Sequence, residues 1–328
     1  MPERVSPLDP DLVAVVAAMP ASNGSIFELP AAEARAMFDA NVGSPDPARW
    51  AGRVSAEDMT ARVGDHDVPV RAYRPLGEAT ARATLVFFHG GGFVLGGLDQ
   101  MDGIARRLCH EAKAVVVSVG YRLAPEHSLA DAVADAVVAT RWAILNSMML
   151  GGDPRAIGLV GESAGGTLAI EAAVAVGVEG FNPVAAMLLV VPAVDFAARG
   201  EPGEVYPLLS ERDMVAIAAA ALGRNHGPLD RYPPSALYAD AKVLRRLPKT
   251  IVAIAGHDLL AASNDRFCAR LRDVGVPVVE RRFDTMFHPF LAFSDASTGA
   301  AEAFATLSND LAMAVAEGAH GSNIRSER

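Results

Sequence analysis

Cysteine is scarce: the 328-residue chain holds only Cys109 and Cys268, far apart in sequence. Two thiols cannot build a disulfide framework or a structural zinc site, so a reducing compartment is expected. Excess positive charge is missing as well. The chain has 29 Lys and Arg against 39 Asp and Glu, a formal net charge of −10, and a pI near 5.3. A net negative body is not drawn to nucleic acid or to an anionic membrane surface, so neither is expected as the main partner. Long apolar runs are also missing. The nearest approach to the ~18 residues of a membrane span is Pro183 to Val194, which contains two prolines. Glu3, Asp9 and Asp11 precede a short apolar stretch, Leu12 to Met19, where a secretory signal would have a basic start and a longer run. The expected location is cytoplasmic. Solenoid-length repeats and low-complexity segments are absent too.

What is present is core material, 51% hydrophobic residues against 21% charged, which excludes a disordered chain or polyelectrolyte. Short apolar runs recur at Thr84–Phe88, Ala114–Val119, Ala156–Val160, Ala185–Val191, Thr250–Ala255 and Pro277–Phe283. Most lack alternation with polar residues, as strands covered on both faces of a parallel sheet do. Helices are expected between them, among them Asp131–Leu145 and a helix opening at Ser263 and stopping at Gly275. Strand–helix alternation of this kind predicts an α/β fold with a doubly wound, mostly parallel sheet. Upstream, Met59–Val63 and Val68–Arg74 around Gly64–Asp67 predict an antiparallel hairpin at the sheet's edge. Two regions break the rhythm: residues 1–50, interrupted by Pro30, Pro45 and Pro47, and residues 199–235, with an alanine-rich helix at Asp213–Leu222. Both are expected to pack over one end of the sheet as cap segments. The catalytic domain would then comprise residues 51–198 and 236–320, with a disordered tail at 321–328.

The sharpest local signal is Gly161-Glu162-Ser163-Ala164-Gly165-Gly166, after a strand and before the helix-forming run Thr167–Val176. A G-x-S-x-G nucleophile elbow needs that context: the serine sits in a strained strand-to-helix turn, and small neighbours avoid clashes. A glycine-rich turn with a capping serine is the plainer alternative. The second signal is His89-Gly90-Gly91-Gly92-Phe93, directly after Thr84–Phe88. Consecutive glycines let backbone N–H groups face a ligand unobstructed, and in acyl transfer such donors hold the tetrahedral oxyanion. A phosphate cradle is poorly supported, because neither a P-loop Lys-Ser/Thr nor a G-x-G-x-x-G helix start is present.

The HGGGF stretch, the Gly-x-Ser-Ala-Gly-Gly elbow and the intervening Tyr121-Arg122-Leu123-Ala124-Pro125-Glu126-His127 together resemble the hormone-sensitive lipase family of bacterial esterases. The resemblance runs from about Leu85 to His288. It implies an α/β-hydrolase fold with a helical cap, and carboxylester hydrolysis without metal or cofactor. Three departures stand out. Glu162 replaces the commoner Asp before the serine, Pro289 stands where glycine usually follows the histidine, and Ser128-Leu129-Ala130 lacks the usual Phe-Pro.

In this fold a base and an acid follow the serine in the order Ser, Asp or Glu, His. His288, after the strand Pro277–Phe283, is the expected base. Asp258, at the end of Thr250–Ala255, is the expected acid, and the resemblance supports both. Asp195 competes as the acid because it follows Ala185–Val191. Asp284 is too close to His288 to be well aimed. Arg122 and Glu126 are expected to bridge and brace the loop behind the oxyanion turn, and His89 to orient its own loop. Cys109-His110 lies in an expected helix, where a buried cysteine is inert.

The expected machinery is therefore Ser163 as nucleophile, His288 as base, Asp258 as its partner, and the amides of Gly91, Gly92 and Ala164 as the oxyanion hole. Phe93, Val94, Met214, Ile217, Phe290 and Leu291 are the expected walls of a pocket for short- to medium-chain acyl esters. A small-molecule ester is the expected partner. A homodimer through edge strands is possible, although no residue decides it. A non-catalytic binding protein of the same fold and an amide hydrolase are the alternatives, and the intact Ser163, Asp258 and His288 count against the former.

Overall fold

The runs of Val, Leu, Ile and Phe form a single sheet because they offer apolar side chains to both faces. In the computed structural model, which describes the chain apart from residues 1–5, 20–23, 43–46, 78–81, 179–180, 202–203, 205, 224–225, 233 and 326–328, the strands are β1 (Val54–Val63), β2 (His66–Pro75), β3 (Arg82–Phe88), β4 (Val115–Val119), β5 (Gly152–Glu162), β6 (Ala186–Val190), β7 (Lys249–His257) and β8 (Val278–Phe287). Their order is β1-β2-β4-β3-β5-β6-β7-β8. The β1–β2 hairpin is antiparallel and β2 meets β4 antiparallel, while the pairs from β4 through β8 are parallel. This is a mostly parallel α/β-hydrolase sheet.

Period-two alternation survives, but between two apolar faces. Val86 and Phe88, Val115 and Val117, Met187 and Leu189, and Val252 and Ile254 enter one core cluster. Their neighbours Leu85 and Phe87, Val116, Leu188, and Ile251 and Ala253 enter the other. Helices α4 (Leu129–Leu150), α5 (Ala164–Val176) and α8 (Ala261–Asp273) cover the first face, with Ala136, Leu168 and Phe267 among their buried residues. Helices α3 (Asp102–Ala112) and α9 (Thr298–Arg325) cover the second through Leu108, Phe304 and Leu311.

Local chemistry sets the helix ends. A capping box between Ser128 and Asp131 opens α4, and Gly151 closes it at φ 91°. That makes α4 longer than the Asp131–Leu145 expected from periodicity. The expectation that no stretch comes close to a membrane span is corrected: by length and composition α4 could cross a membrane. Here its Ala132, Ala136, Ala139 and Ala143 pack in the core, and its buried Asp135 is ion-paired with Arg122. The expected tail from 321 is also corrected: α9 continues to Arg325. Nothing in that stretch is proline, and extending a formed helix is cheap. Residues 326–328 lie outside the described residues.

The segment before β1 does not act as one unit. Helix α1 (Pro10–Ala18) buries Leu12 in the second cluster, and its cap Asp9 receives a hydrogen bond from Ser297. The turn at Ile26–Glu28 and α2 (Ala31–Val42) instead meet the first cluster, where Ala34 is buried. Helix α6 (Glu211–Leu222) lies against that turn, joined by the Arg212–Glu28 ion pair. The short α7 (Ala241–Leu244) leads into β7.

Candidate active site

Strand β5 ends at Glu162 and α5 begins at Ala164, so Ser163 alone makes the turn, at φ 53° and ψ −117°. A non-glycine residue in that region is strained and persists only where its surroundings hold it. The Ser163 N–H donates to Val190, and the Ser163 carbonyl accepts from Ala193 and Gly166. Crowding explains the flanking glycines. A Cβ on Gly161 would lie 2.3 Å from the Gly165 carbonyl oxygen, and one on Gly165 would lie 2.0 Å from that of Phe88.

The parallel sheet brings the ends of β7 and β8 to the same edge. His288 Nε2 stands 2.8 Å from Ser163 Oγ, and His288 Nδ1 stands 3.1 Å from Asp258 Oδ2. The Leu260 N–H donates to the other carboxylate oxygen of Asp258, which fixes its plane. His288 and Asp258 are both buried. Burial pulls the imidazole pKa down, but the charge and hydrogen bond of Asp258, with a further contribution from the charge of Glu162, outweigh it, so the net direction is upward from 6.5. Hydroxyl, imidazole and carboxylate thus stand in line, with Nε2 placed to take a proton from Oγ.

The loop after β3 lies beside this line. His89 is fully buried, its ring stacked on Tyr121 at 4.3 Å, and its Nδ1 contacts the Gly90 carbonyl at 2.7 Å. Burial lowers its pKa to about 4, so it is neutral near pH 7. Tyr121 donates its hydroxyl to the His89 carbonyl. Gly91, Gly92 and Phe93 all have positive φ, and the Gly91 carbonyl accepts from Val94 and Leu95. Among the described residues, neither glycine amide donates to a backbone carbonyl. Ala164 opens α5, so its N–H has no carbonyl partner within the helix.

Phe93 is buried and stacked with Phe196, with centroids 5.8 Å apart. Phe93, Val94, Met214 and Ile217 all belong to the first core cluster. A Cβ on Gly92 would lie 2.7 Å from the Phe27 ring and 2.8 Å from the Ile217 side chain, so residues from α6 and the N-terminal segment press directly on this loop. Phe290 and Leu291 do not join them. After His288 the chain enters a tight helical turn, Phe290–Phe293, against α9, which sends both side chains into the second cluster. Phe290 packs on Phe283 there, and Leu291 lies beside Phe304 and Leu307.

The expected Arg122–Glu126 bridge does not form. Arg122 pairs with Asp131 and Asp135 of α4, which lie nearer its guanidinium. Glu126 pairs with Arg35 of α2, which also donates to the carbonyls of Val94 and Ala124. Sequence reasoning missed Phe27 and Arg35 because their partners lie far along the chain, and no local spacing marks them. Asp195 is buried but accepts from Tyr238 and Arg266, and Asp284 pairs with Arg282. Cys109 is buried in α3, and burial pushes its thiol up to about 12.

Fold and site together define an α/β hydrolase of the serine type. A family model described as the alpha/beta hydrolase fold matches residues 85–292. Esterase LipI of Mycobacterium tuberculosis is 36% identical over 226 residues, covering 67% of this chain and 69% of that protein. An arylesterase of Saccharolobus solfataricus is 31% identical over 235 residues, covering 71% and 76%. The solved esterase of Pyrobaculum calidifontis superposes with a TM-score of 0.80 at 28% identity, over 94% of this chain and all of that one. The chain belongs to the hormone-sensitive-lipase-like esterase family of the α/β-hydrolase fold, and it is a carboxylic ester hydrolase.

Proposed function

We propose that the enzyme hydrolyses short- to medium-chain acyl esters through an acyl-enzyme on Ser163. The observation carrying this reading is the unbroken line from Asp258 Oδ2 through His288 to Ser163 Oγ, at 3.1 Å and 2.8 Å. In the first step Oγ attacks the ester carbonyl carbon while His288 Nε2 takes its proton. Asp258 holds the imidazole by Nδ1–H and stabilises the imidazolium. The carbonyl oxygen becomes an oxyanion, received by the N–H groups of Gly91, Gly92 and Ala164. When the intermediate collapses, His288 returns the proton to the leaving alcohol. Water then attacks the acyl-enzyme with His288 again as base, releasing the carboxylic acid and restoring Ser163.

The acyl length follows from the parts of the expected cap segments, residues 1–50 and 199–235, that reach this loop. Phe27 and Ile217 stand against the oxyanion loop, and Met214 and Phe93 are buried in the same cluster, so the acyl chain has a short apolar enclosure. Each methylene buried there gains ~0.8 kcal/mol until the space is full. Two free, buried cysteines support a reducing, cytoplasmic setting.

Rates on a series of soluble p-nitrophenyl esters test the acyl range, and Ser163→Ala tests the chemistry. That variant should lose at least ~10⁴-fold in kcat while keeping its fold. Retention of turnover, or a rate still rising at long acyl chains, would overturn the corresponding half of the reading.

A further inference from the structure

Beside the proposed machinery lies a buried carboxyl for which that mechanism has no use. Glu162, immediately before Ser163, is buried, and among the described residues its Oε1 has no hydrogen-bond partner. Its other oxygen lies 3.6 Å from where a Gly90 Cβ would be, so the carboxyl also reaches the base of the oxyanion loop. It borders a cavity of about 10 Å³ whose other walls include Ile104 and Leu108 of α3 and Phe304, Leu307 and Ser308 of α9. The Ser308 hydroxyl, on the same cavity, likewise has no partner among the described residues. A carboxylate oxygen buried without a protein partner is a costly arrangement that a neutral side chain of similar size would avoid.

The charges around it are few. A Gly90 Cβ would lie 3.5 Å from Ser163 Cβ as well as 3.6 Å from Glu162 Oε2, and Ser163 Oγ is 2.8 Å from His288 Nε2. The carboxyl therefore lies on the Ser163–His288 side of the elbow, where the charge of His288 favours ionised Glu162. Asp258, after β7, lies on the far side of His288, at Nδ1. His89, after β3, is neutral near pH 7. The cavity residues contributed by α3 and α9 carry no charge. Glu162 and His288 are both buried, so their charges are weakly screened and their two titrations couple.

We propose that Glu162 is a positioning residue for His288: its carboxylate, set into the nucleophile elbow, favours the imidazolium that forms as Ser163 gives up its proton. The proposal rests on the reading of His288 as the base. The effect follows from charge rather than contact. An anion near the imidazole raises its basicity in the resting enzyme and lowers the energy of the charged intermediate. Burial pushes the Glu162 carboxyl up to about 7, so this assistance is present above neutrality and is withdrawn as the group takes up a proton. The same burial that makes Glu162 expensive makes its charge effective.

The test is the pH dependence of kcat and kcat/KM for wild type, Glu162→Gln and Glu162→Asp on a soluble short-chain ester. Removing the charge should move the acid limb of Glu162→Gln down by about one pH unit. Its plateau kcat should fall about tenfold, the equivalent of one pKa unit, with KM little changed. Glu162→Asp, which restores the charge, should recover most of both. If Glu162→Gln keeps the wild-type limb and plateau, or if Asp is as damaging as Gln, Glu162 is packing alone and the proposal fails. Should Glu162→Gln not fold, infrared titration of the wild type decides: the protonated-carboxyl band must disappear over the pH range in which activity rises. A band indifferent to that range overturns the proposal. Ser163→Ala, assayed alongside, separates the two claims. If it keeps turnover the triad reading has failed. If it is inactive while Glu162→Gln matches wild type, only the role of Glu162 has failed.

Discussion

Ser163 occupies a backbone conformation that a serine rarely adopts, and the residues around it explain how it is held there. Glycines at 161 and 165 leave room that no side chain could share, and hydrogen bonds from Ala193 and to Val190 pin both sides of its peptide. The competition between Asp258 and Asp195 resolves on the same scale. Only Asp258 meets His288, while Asp195 is occupied by Tyr238 and Arg266. Asp258→Asn should lower kcat by ~10³–10⁴, because the imidazole loses its orienting partner, whereas Asp195→Asn should cost far less. Steady-state kinetics on both variants checks this, and a reversed order would make Asp195 the acid. The upward shift of His288 gives a further expectation. In the proposed mechanism its neutral form accepts the Ser163 proton, so kcat/KM should fall with decreasing pH at a midpoint above 6.5. Glu162 also affects stability. Its folded-state pKa, about 7, lies above the ordinary 4.5, so its contribution is fully present below about 4.5 and is lost as pH rises through about 7. The Tm of Glu162→Gln relative to wild type should therefore become more positive between about pH 5 and pH 8. A flat difference in calorimetry would show that the buried carboxyl has the same pKa folded and unfolded.

At the scale of elements, much was legible because local rules act locally. The elbow is a contiguous motif between a strand and a helix, and the strands read as unbroken apolar runs because both faces are covered. Element ends were less legible: α4 begins two residues before the expected start because the Ser128–Asp131 capping box fixes it there. Contacts between distant segments were not legible at all. Nothing near Arg35 in sequence indicates that its guanidinium holds the carbonyls of Val94 and Ala124. Phe290 and Leu291 were misplaced for a related reason. Nearness to His288 in sequence suggested the pocket, but the turn that follows delivers them to the opposite face of the sheet. The segments that do close over Gly92 carry Phe27 and Ile217, and Ile217 is buried under α6. Ile217→Ala should therefore open the enclosure. The octanoate-to-butyrate ratio of kcat/KM should rise about tenfold, near the worth of two methylenes at ~0.8 kcal/mol each. An unchanged ratio would place the acyl chain elsewhere.

On the scale of the whole molecule, the sheet edge gathers three side chains from the ends of β5, β7 and β8, the proposed oxyanion loop from the end of β3, and two segments distant in sequence that press on that loop as the proposed roof. The family resemblance reaches from about Leu85 to His288 in the sequence, and the matched model spans 85–292, so the roof lies partly outside what the motifs could describe. A roof resting on the oxyanion loop should also make the enzyme prefer dissolved butyrate or hexanoate esters over emulsified long-chain triacylglycerol. The central claim is that chemistry passes through an acyl-enzyme on Ser163, and covalent trapping tests it most directly. The wild type is treated with a fluorophosphonate and its peptides are mapped by mass spectrometry. The adduct should lie on Ser163 alone, with esterase activity lost in proportion to labelling, and Ser163→Ala should take no label. Labelling at another residue, or hydrolysis that survives full modification of Ser163, would contradict it.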